Sequence, residues 1–154
     1  MAKKEGIRKL FNNIAGDYDR LNHILSLNID KSWRRKAVKE IVDTAEPLNI
    51  LDEACGTCDF TIEIAKAAPE GSKVTGIDLS EGMLHIGREK CCKEGITAEL
   101  LTGDCEAMPY EDETFDRIGV AFGVRNFENL PKGLTEMLRV LKPEGKLVIL
   151  ELSI

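Results

Sequence analysis

The stretch ILDEACGTCDF at 50–60 sets two cysteines, Cys55 and Cys58, three residues apart among acidic neighbours. Three chemistries fit that pattern. A dithiol at the start of a helix would have a lowered thiol pKa and could exchange disulfides. A zinc site would need four ligands, and Cys91–Cys92, Cys105, His23 and His85 offer no second pair at ligand spacing. No metal is therefore expected. The third chemistry is a ligand-binding turn. Asp52, Ala54, Gly56, Thr57 and Asp59 follow an apolar run; small residues let backbone approach a ligand, and the N–H groups of a helix start face it.

Only the turn accounts for the acids further along. Asp78 ends VTGID about twenty residues on, where a carboxylate can accept hydrogen bonds from both hydroxyls of a ribose. Asp104 ends LLTGD in the same way. A dinucleotide loop would carry G-x-G-x-x-G, but only Gly56 is present, and Asp59 at the helix start would repel a pyrophosphate. A sulfonium ligand such as S-adenosylmethionine tolerates that acid, so electrostatics favour a methyl donor over a nicotinamide dinucleotide.

Such acids converge only if strands and helices alternate. Short apolar runs predict strands at 48–54, 73–77, 97–102, 116–122 and 146–154. Helices are expected over 59–68, from an N-cap at Ser80 to about Glu94 with Gly95 as left-handed cap, and through Leu134, Met137, Leu138 and Leu141. Pro131 fits the first turn of that last helix, and Pro143 with Gly145 would end it. The first third reads as helical. Ile7, Leu10, Phe11 and Ile14 share one face, and a second helix from Trp33 to about Ala45 is closed by Pro47.

The pattern predicts an α/β protein, a Rossmann-like, mostly parallel sheet flanked by helices with right-handed crossovers. Residues 1–46 would form a helical lid or cap and 47–154 the core. The fifth strand ends the chain with its outer edge unpaired, a position natural domains avoid. The core is thus expected to lack its last strands, and the bare edge leaves a dimer open.

The totals exclude several classes. With 154 residues and 43% hydrophobic content, one domain with its own core is expected. A net charge of −6 argues against nucleic acid as partner. No apolar run approaches the roughly 18 residues of a membrane span, and MAKKEGIRKLF lacks a signal-peptide core. Five irregularly spaced cysteines suit a reducing, cytoplasmic setting rather than a disulfide framework.

DEACGTCDF, VTGIDLSEGML, LLTGDCEAMPYEDETFD, AFGVRNFEN and RVLKPEGKLVILELS, in this order, resemble the class I S-adenosylmethionine-dependent methyltransferases. More narrowly, they resemble the C-methyltransferases of menaquinone and ubiquinone biosynthesis. YDRLNHILSLNIDKSW is similar to that family's opening motif and FGVRN to a second family mark, so the likeness runs from about Phe11 to Ser153. The resemblance implies that Gly56 and Thr57 belong to the cofactor loop, that Asp78 holds the ribose, and that Asp104 and Cys105 flank the adenine. It implies an isoprenoid quinol of the demethylmenaquinol type as substrate, reached by peripheral contact with a membrane.

Arg125 and Asn126, just after the fourth strand, are the candidates to stabilise the quinol oxygen as an anion. Tyr18, Asp19 and Asn22 would belong to the lid; His23 and His85 read as ordinary helix residues, and no general base is assigned. Three positions depart from the family pattern. Cys58 replaces a glycine, Glu53 an apolar residue that would need a partner if buried, and Ala121 a serine. Other readings stay open: a methyltransferase acting on a different small molecule, a non-catalytic cofactor-binding fragment, and a C-x-x-C dithiol oxidoreductase.

Overall fold

The computed structural model describes residues 25–27, 31–121 and 129–150. The described strands are β1 (Leu25–Leu27), β2 (Asn49–Glu53), β3 (Lys73–Asp78), β4 (Glu99–Thr102), β5 (Phe115–Ala121) and β6 (Leu141–Leu150). They form one sheet in the order β1-β6-β5-β2-β3-β4, with every neighbouring pair parallel. Four helices are described with them: α1 (Lys31–Ile41), α2 (Asp59–Ala67), α3 (Glu81–Lys93) and α4 (Leu130–Val140). The expected helix over Ile7–Ile14 and the lid residues Tyr18, Asp19, Asn22 and His23 lie outside the described residues, as do 151–154 of the expected last strand.

The central strands β2, β3, β5 and the end of β6 are buried on both faces, which explains why they read as apolar runs rather than alternations, whereas the edge strand β4 is largely exposed. On one face Leu51, Ile77, Ile118, Val120, Leu147 and Ile149 pack with Leu134, Met137 and Val140 of α4. On the other, Ile50, Val148 and Leu150 pack with Ala37 and Ile41 of α1 and Phe60 and Ile64 of α2. A smaller cluster joins Cys55, Cys58 and Ile62 to Leu84 and Cys91 of α3.

Helix ends mostly follow their signals. The Ser80 hydroxyl accepts from the Met83 N–H at 3.2 Å, Gly95 has φ +67°, and Asn129 caps α4 ahead of Pro131. Three boundaries differ from expectation. Helix α1 stops at Ile41, well before Pro47. Its last carbonyls are taken by side chains from the sheet: Arg117 donates to the Ile41 carbonyl and Lys146 to that of Glu40, both at 3.0 Å. Cations on orphan C-terminal carbonyls end a helix without proline.

Strand β6 starts at Leu141 rather than 146, because Leu141 pairs with Phe115 before the register jumps to Arg117↔Lys146. Pro143 and Gly145 fall in that irregularity. The outer edge of β6 is not bare: β1 pairs along Val148–Leu150. The free edge expected for a dimer is thus occupied along those residues by three residues too short to show a sequence period.

Strand order reverses at β2, which lies between β3 and β5. Open α/β sheets bind ligands outside the carboxyl ends of the strands at such a point.

Candidate functional site

The turn after β2 carries most of the local strain in the described residues. Ala54, Gly56 and Cys58 have φ of 56°, 55° and 73°. A left-handed non-glycine residue costs about 1–2 kcal/mol, so two in one five-residue turn must be held by their surroundings. The holds are visible. The Cys55 N–H donates to the Ile77 carbonyl at 3.1 Å, and the Cys58 N–H to the Cys55 carbonyl at 2.9 Å. The Gly56 N–H donates to Asp78 Oδ2 at 2.9 Å.

Asp78 therefore closes the site from β3. Its second oxygen accepts from the Ser80 N–H at 2.9 Å, which fixes the carboxylate at the mouth of the crevice. Asp104 organises the turn after β4 in the same manner, accepting from the Glu106 N–H at 2.8 Å. The carboxyl ends of adjacent parallel strands bring these turns together. Gly56, Thr57, Asp78 and Asp104 share one end of the sheet, as the sequence implied. Arg125 and Asn126 lie outside the described residues.

Other assignments change in detail. Cys105 turns its side chain into the core on the α4 face, only 6% exposed, so its thiol does not face the rim. Asp52 and Glu53 are likewise buried. Successive residues of a strand point to opposite faces, and the two carboxyls part accordingly. Thr61 Oγ1 of α2 lies 2.5 Å from Asp52 Oδ2. Burial pushes the Asp52 pKa up to about 8. Neither Glu53 oxygen has a hydrogen-bond partner, although the Cys105 thiol lies against that side chain. Burial drives its pKa well above its ordinary value and favours the neutral acid. The partner this position needed is not supplied.

Cys58 fits better than its sequence suggested. Its sulfur does not fill the ligand side of the turn but packs between α2 and α3, where a Cβ on Gly87 would meet it at 2.5 Å. The glycine of α3 makes room for the thiol of the turn.

Sequence reasoning missed three contributors. Lys90 reaches from α3 to Thr57 Oγ1 at 3.2 Å and to Asp59 Oδ1 at 3.0 Å. Asp59 is thus paired, and the repulsion of a pyrophosphate expected from it is weaker than its type alone implied. Leu79 and Met83 are apolar yet 71% and 47% exposed, at the start of α3 beside the Asp78 carboxylate. The Met83 sulfur lies 3.7 Å from where a Gly56 Cβ would stand. The signal was available: a strand ending in an acid followed at once by an N-cap places the next apolar residues on the rim.

A carboxylate fixed by two backbone amides, a strained small-residue turn and an exposed apolar shelf lie together at the switch point. The same order of turns occurs in a known family. Residues 1–154 match the description of the ubiE/COQ5 methyltransferase family. The chain belongs to that family. It is 50% identical over 153 residues to a demethylmenaquinone methyltransferase of Bacteroides fragilis, covering 98% of this chain and 62% of that protein. It is 46% identical over 155 residues to a ubiquinone/menaquinone biosynthesis C-methyltransferase of Geobacter sulfurreducens, covering 98% of this chain and 59% of that one. The chain therefore spans about three fifths of the length of these family members. Among solved structures, an S-adenosylmethionine-dependent methyltransferase of Aquifex aeolicus superposes with a TM-score of 0.64 at 28% identity, over 79% of this chain and 72% of that one. The fold is that of the Rossmann-like methyltransferases.

Proposed function

We propose that this member of the ubiE/COQ5 family binds S-adenosylmethionine in the crevice at the carboxyl ends of β2, β3 and β4. We propose further that, in a chain of its relatives' length, it methylates a ring carbon of a demethylmenaquinol-type quinol. The observation that carries the first half is the Asp78 carboxylate, clamped by Gly56 and Ser80 amides at the crevice mouth. The second half rests on the names of the two relatives above and on the family they share.

The residues present fit the cofactor. Asp78 keeps lone pairs for ribose hydroxyls while its amide bonds hold it in place. Leu79 and Met83 offer apolar surface to a purine, and Asp104 with the Cys105 backbone borders the same side. The Gly56–Thr57 turn lets backbone approach the amino-acid end. When bound, S-adenosylmethionine supplies an electrophilic methyl group on a sulfonium sulfur.

The rest of the task falls to positioning. A quinol becomes nucleophilic at carbon when its hydroxyl loses a proton, and a cationic or amide donor favours that anion. Arg125 and Asn126 are proposed for this role, and the stretch ahead of β1 that carries Tyr18, Asp19 and Asn22, rather than all of 1–46, is proposed as the lid that excludes water, since β1 and α1 belong to the sheet and its core. Excluding water matters because the opposite charges of phenolate and sulfonium are strongly hydrated before they meet. The substrate's isoprenoid tail implies contact with a membrane surface; no described helix is long and apolar enough to cross one.

Incubation with methyl-labelled S-adenosylmethionine and a chemically reduced, short-tailed demethylmenaquinone tests the reading. Label recovered in the quinone fraction supports it. Cofactor binding with no label transferred, by a chain as long as its relatives, removes the quinol as substrate.

A further inference from the structure

The C-x-x-C pair is not used by methyl transfer, yet it sits in an unusual environment. Cys55 and Cys58 are both free, with their sulfurs 3.9 Å apart. Closing a disulfide needs the sulfurs to approach to about 2 Å, and the Cys58 N–H to Cys55 carbonyl bond already folds the turn on itself. Cys58 is the N-cap residue of α2 and has no side-chain cap there, so the helix terminus favours negative charge on its sulfur.

Behind the pair lies a proton path. Thr61 is one turn along α2, bonded to Asp52 at 2.5 Å and within hydrogen-bonding reach of the Cys58 thiol. Asp52 is 1% exposed and faces no cation that would hold it ionised. It is a buried carboxyl that keeps its proton and is placed to give it, through Thr61, to an oxygen leaving at the Cys58 sulfur.

We infer that Cys55 and Cys58 form a reversibly oxidisable dithiol that takes hydrogen peroxide as its oxidant, with the Asp52 carboxyl protonating the departing hydroxide through Thr61. The Cys58 sulfur attacks one peroxide oxygen and the O–O bond breaks. Cys58, its thiol proton released to water, becomes a sulfenic acid; the departing hydroxide takes the proton of the Asp52 carboxyl through Thr61 and leaves as water, and Asp52 recovers a proton from water. The Cys55 sulfur then attacks the Cys58 sulfur, and the sulfenic hydroxyl leaves with the Cys55 proton as a second water. Two thiols are oxidised to one disulfide while one peroxide is reduced to two waters. A small dithiol reverses the bridge.

Access selects the oxidant. Cys58 has no exposed surface and Cys55 is 9% exposed, which bars a bulky disulfide and leaves only a small oxidant. The thiolate direction agrees: the hydrogen bond shared with Cys55 lowers the Cys58 pKa against the opposing effect of burial, with Thr61 adding to the lowering. The groups facing Cys58 are Cys55 and Asp52 from β2 and its turn, Thr61 from α2, Asp78 at the end of β3, and Cys91 and Arg88 from α3.

The reduced 154-residue chain treated with one equivalent of hydrogen peroxide at pH 7, then alkylated and mapped by mass spectrometry, tests this. The expected result is a two-dalton loss confined to the peptide that holds both Cys55 and Cys58, while Cys91, Cys92 and Cys105 are alkylated. Thr61→Val is expected to slow that oxidation by about tenfold or more, since a proton relay contributes on that scale or above, and to move its pH profile to higher pH. First oxidation at Cys92, a Cys58–Cys91 bridge, or no oxidation overturns the dithiol. A Thr61→Val chain that folds, by circular dichroism, and oxidises at the wild-type rate overturns the relay. Should that variant not fold, the wild-type peptide map and a Cys58→Ser control still decide the site.

Discussion

The two ends of the parallel sheet handle charge in opposite ways. At the amino end, Arg117 and Lys146 converge on Asp43 at 2.7 and 2.6 Å, and Lys142 pairs with Asp116 at 3.1 Å. Burial opposes the charge on Asp43, but hydrogen bonds from Lys146 and Arg117 overcome it and carry the pKa down to about 2. At the carboxyl end, Asp78 and Asp104 are held by backbone amides, Asp52 by a hydroxyl, and Glu53 by nothing that meets hydrogen-bond geometry. One end anchors a helix with ion pairs. The other keeps acceptors at the rim and buries neutral acids beneath it.

The difference gives the ends opposite pH dependences. Asp52 and Glu53 have folded pKa values above their unfolded ones, so the folded state holds protons that the unfolded state releases. Their effect on stability is most favourable below about pH 4 and declines as pH rises, for Asp52 until about pH 8. Each held proton gives a slope of about 1.4 kcal/mol per pH unit. Asp43 has the reverse sign: its contribution is present above about pH 4 and is lost as pH falls toward 2. Melting temperature should fall between about pH 5.5 and 8 in the wild type, and Glu53→Gln should flatten that fall. An unchanged pH profile in Glu53→Gln would show that Glu53 is not held as a neutral acid.

Breaking the amino end alone should cost stability without touching the crevice. Arg117→Met strands the Ile41 carbonyl and leaves Asp43 with Lys146 alone, a loss of about 1–3 kcal/mol in denaturant unfolding. Cofactor affinity should stay within about twofold, a margin of about 0.4 kcal/mol. The crevice end is probed by Gly87→Ala, whose new Cβ meets the Cys58 sulfur at 2.5 Å and the Thr57 carbonyl carbon at 3.4 Å. Overpacking of this kind costs about 1–3 kcal/mol, and Cys58→Gly in the same chain should restore most of it. The smallest effect is expected for Cys58→Gly alone. Relief of a left-handed φ of 73° offsets the loss of a buried sulfur, so stability should change by no more than about 1 kcal/mol.

The same contrast explains what the sequence made legible. The sheet could be read because each strand is a bounded apolar run, and the rim because a strand ending in Asp78 or Asp104 can place its acid nowhere else. Asp52 and Glu53 are adjacent letters in one run, and only the pleat and the neighbouring helices decide that one meets Thr61 and the other meets no oxygen or nitrogen partner. The end of α1 was misplaced because its stop signal lies in Arg117 and Lys146, far along the chain. β1 was invisible for want of length: three residues show no period, and their pairing depends on the edge of β6. Lys90 and Gly87, which neutralise Asp59 and admit Cys58, belong to α3 and carry no local mark of that duty.

The central claim is that the carboxyl rim grips an adenosine through Asp78. Calorimetric titration of S-adenosylmethionine into the wild-type chain and into Asp78→Asn measures it directly. Saturable one-site binding to the wild type is the predicted result. The side-chain amide oxygen introduced by Asp78→Asn can still accept the Gly56 N–H, and the exposed Ser80 N–H that loses its acceptor can turn to water. The variant should therefore keep its melting temperature within a few degrees but lose about tenfold or more in affinity, about 1.4 kcal/mol. Absence of heat with the folded wild type, or equal affinity in the two chains, would contradict it.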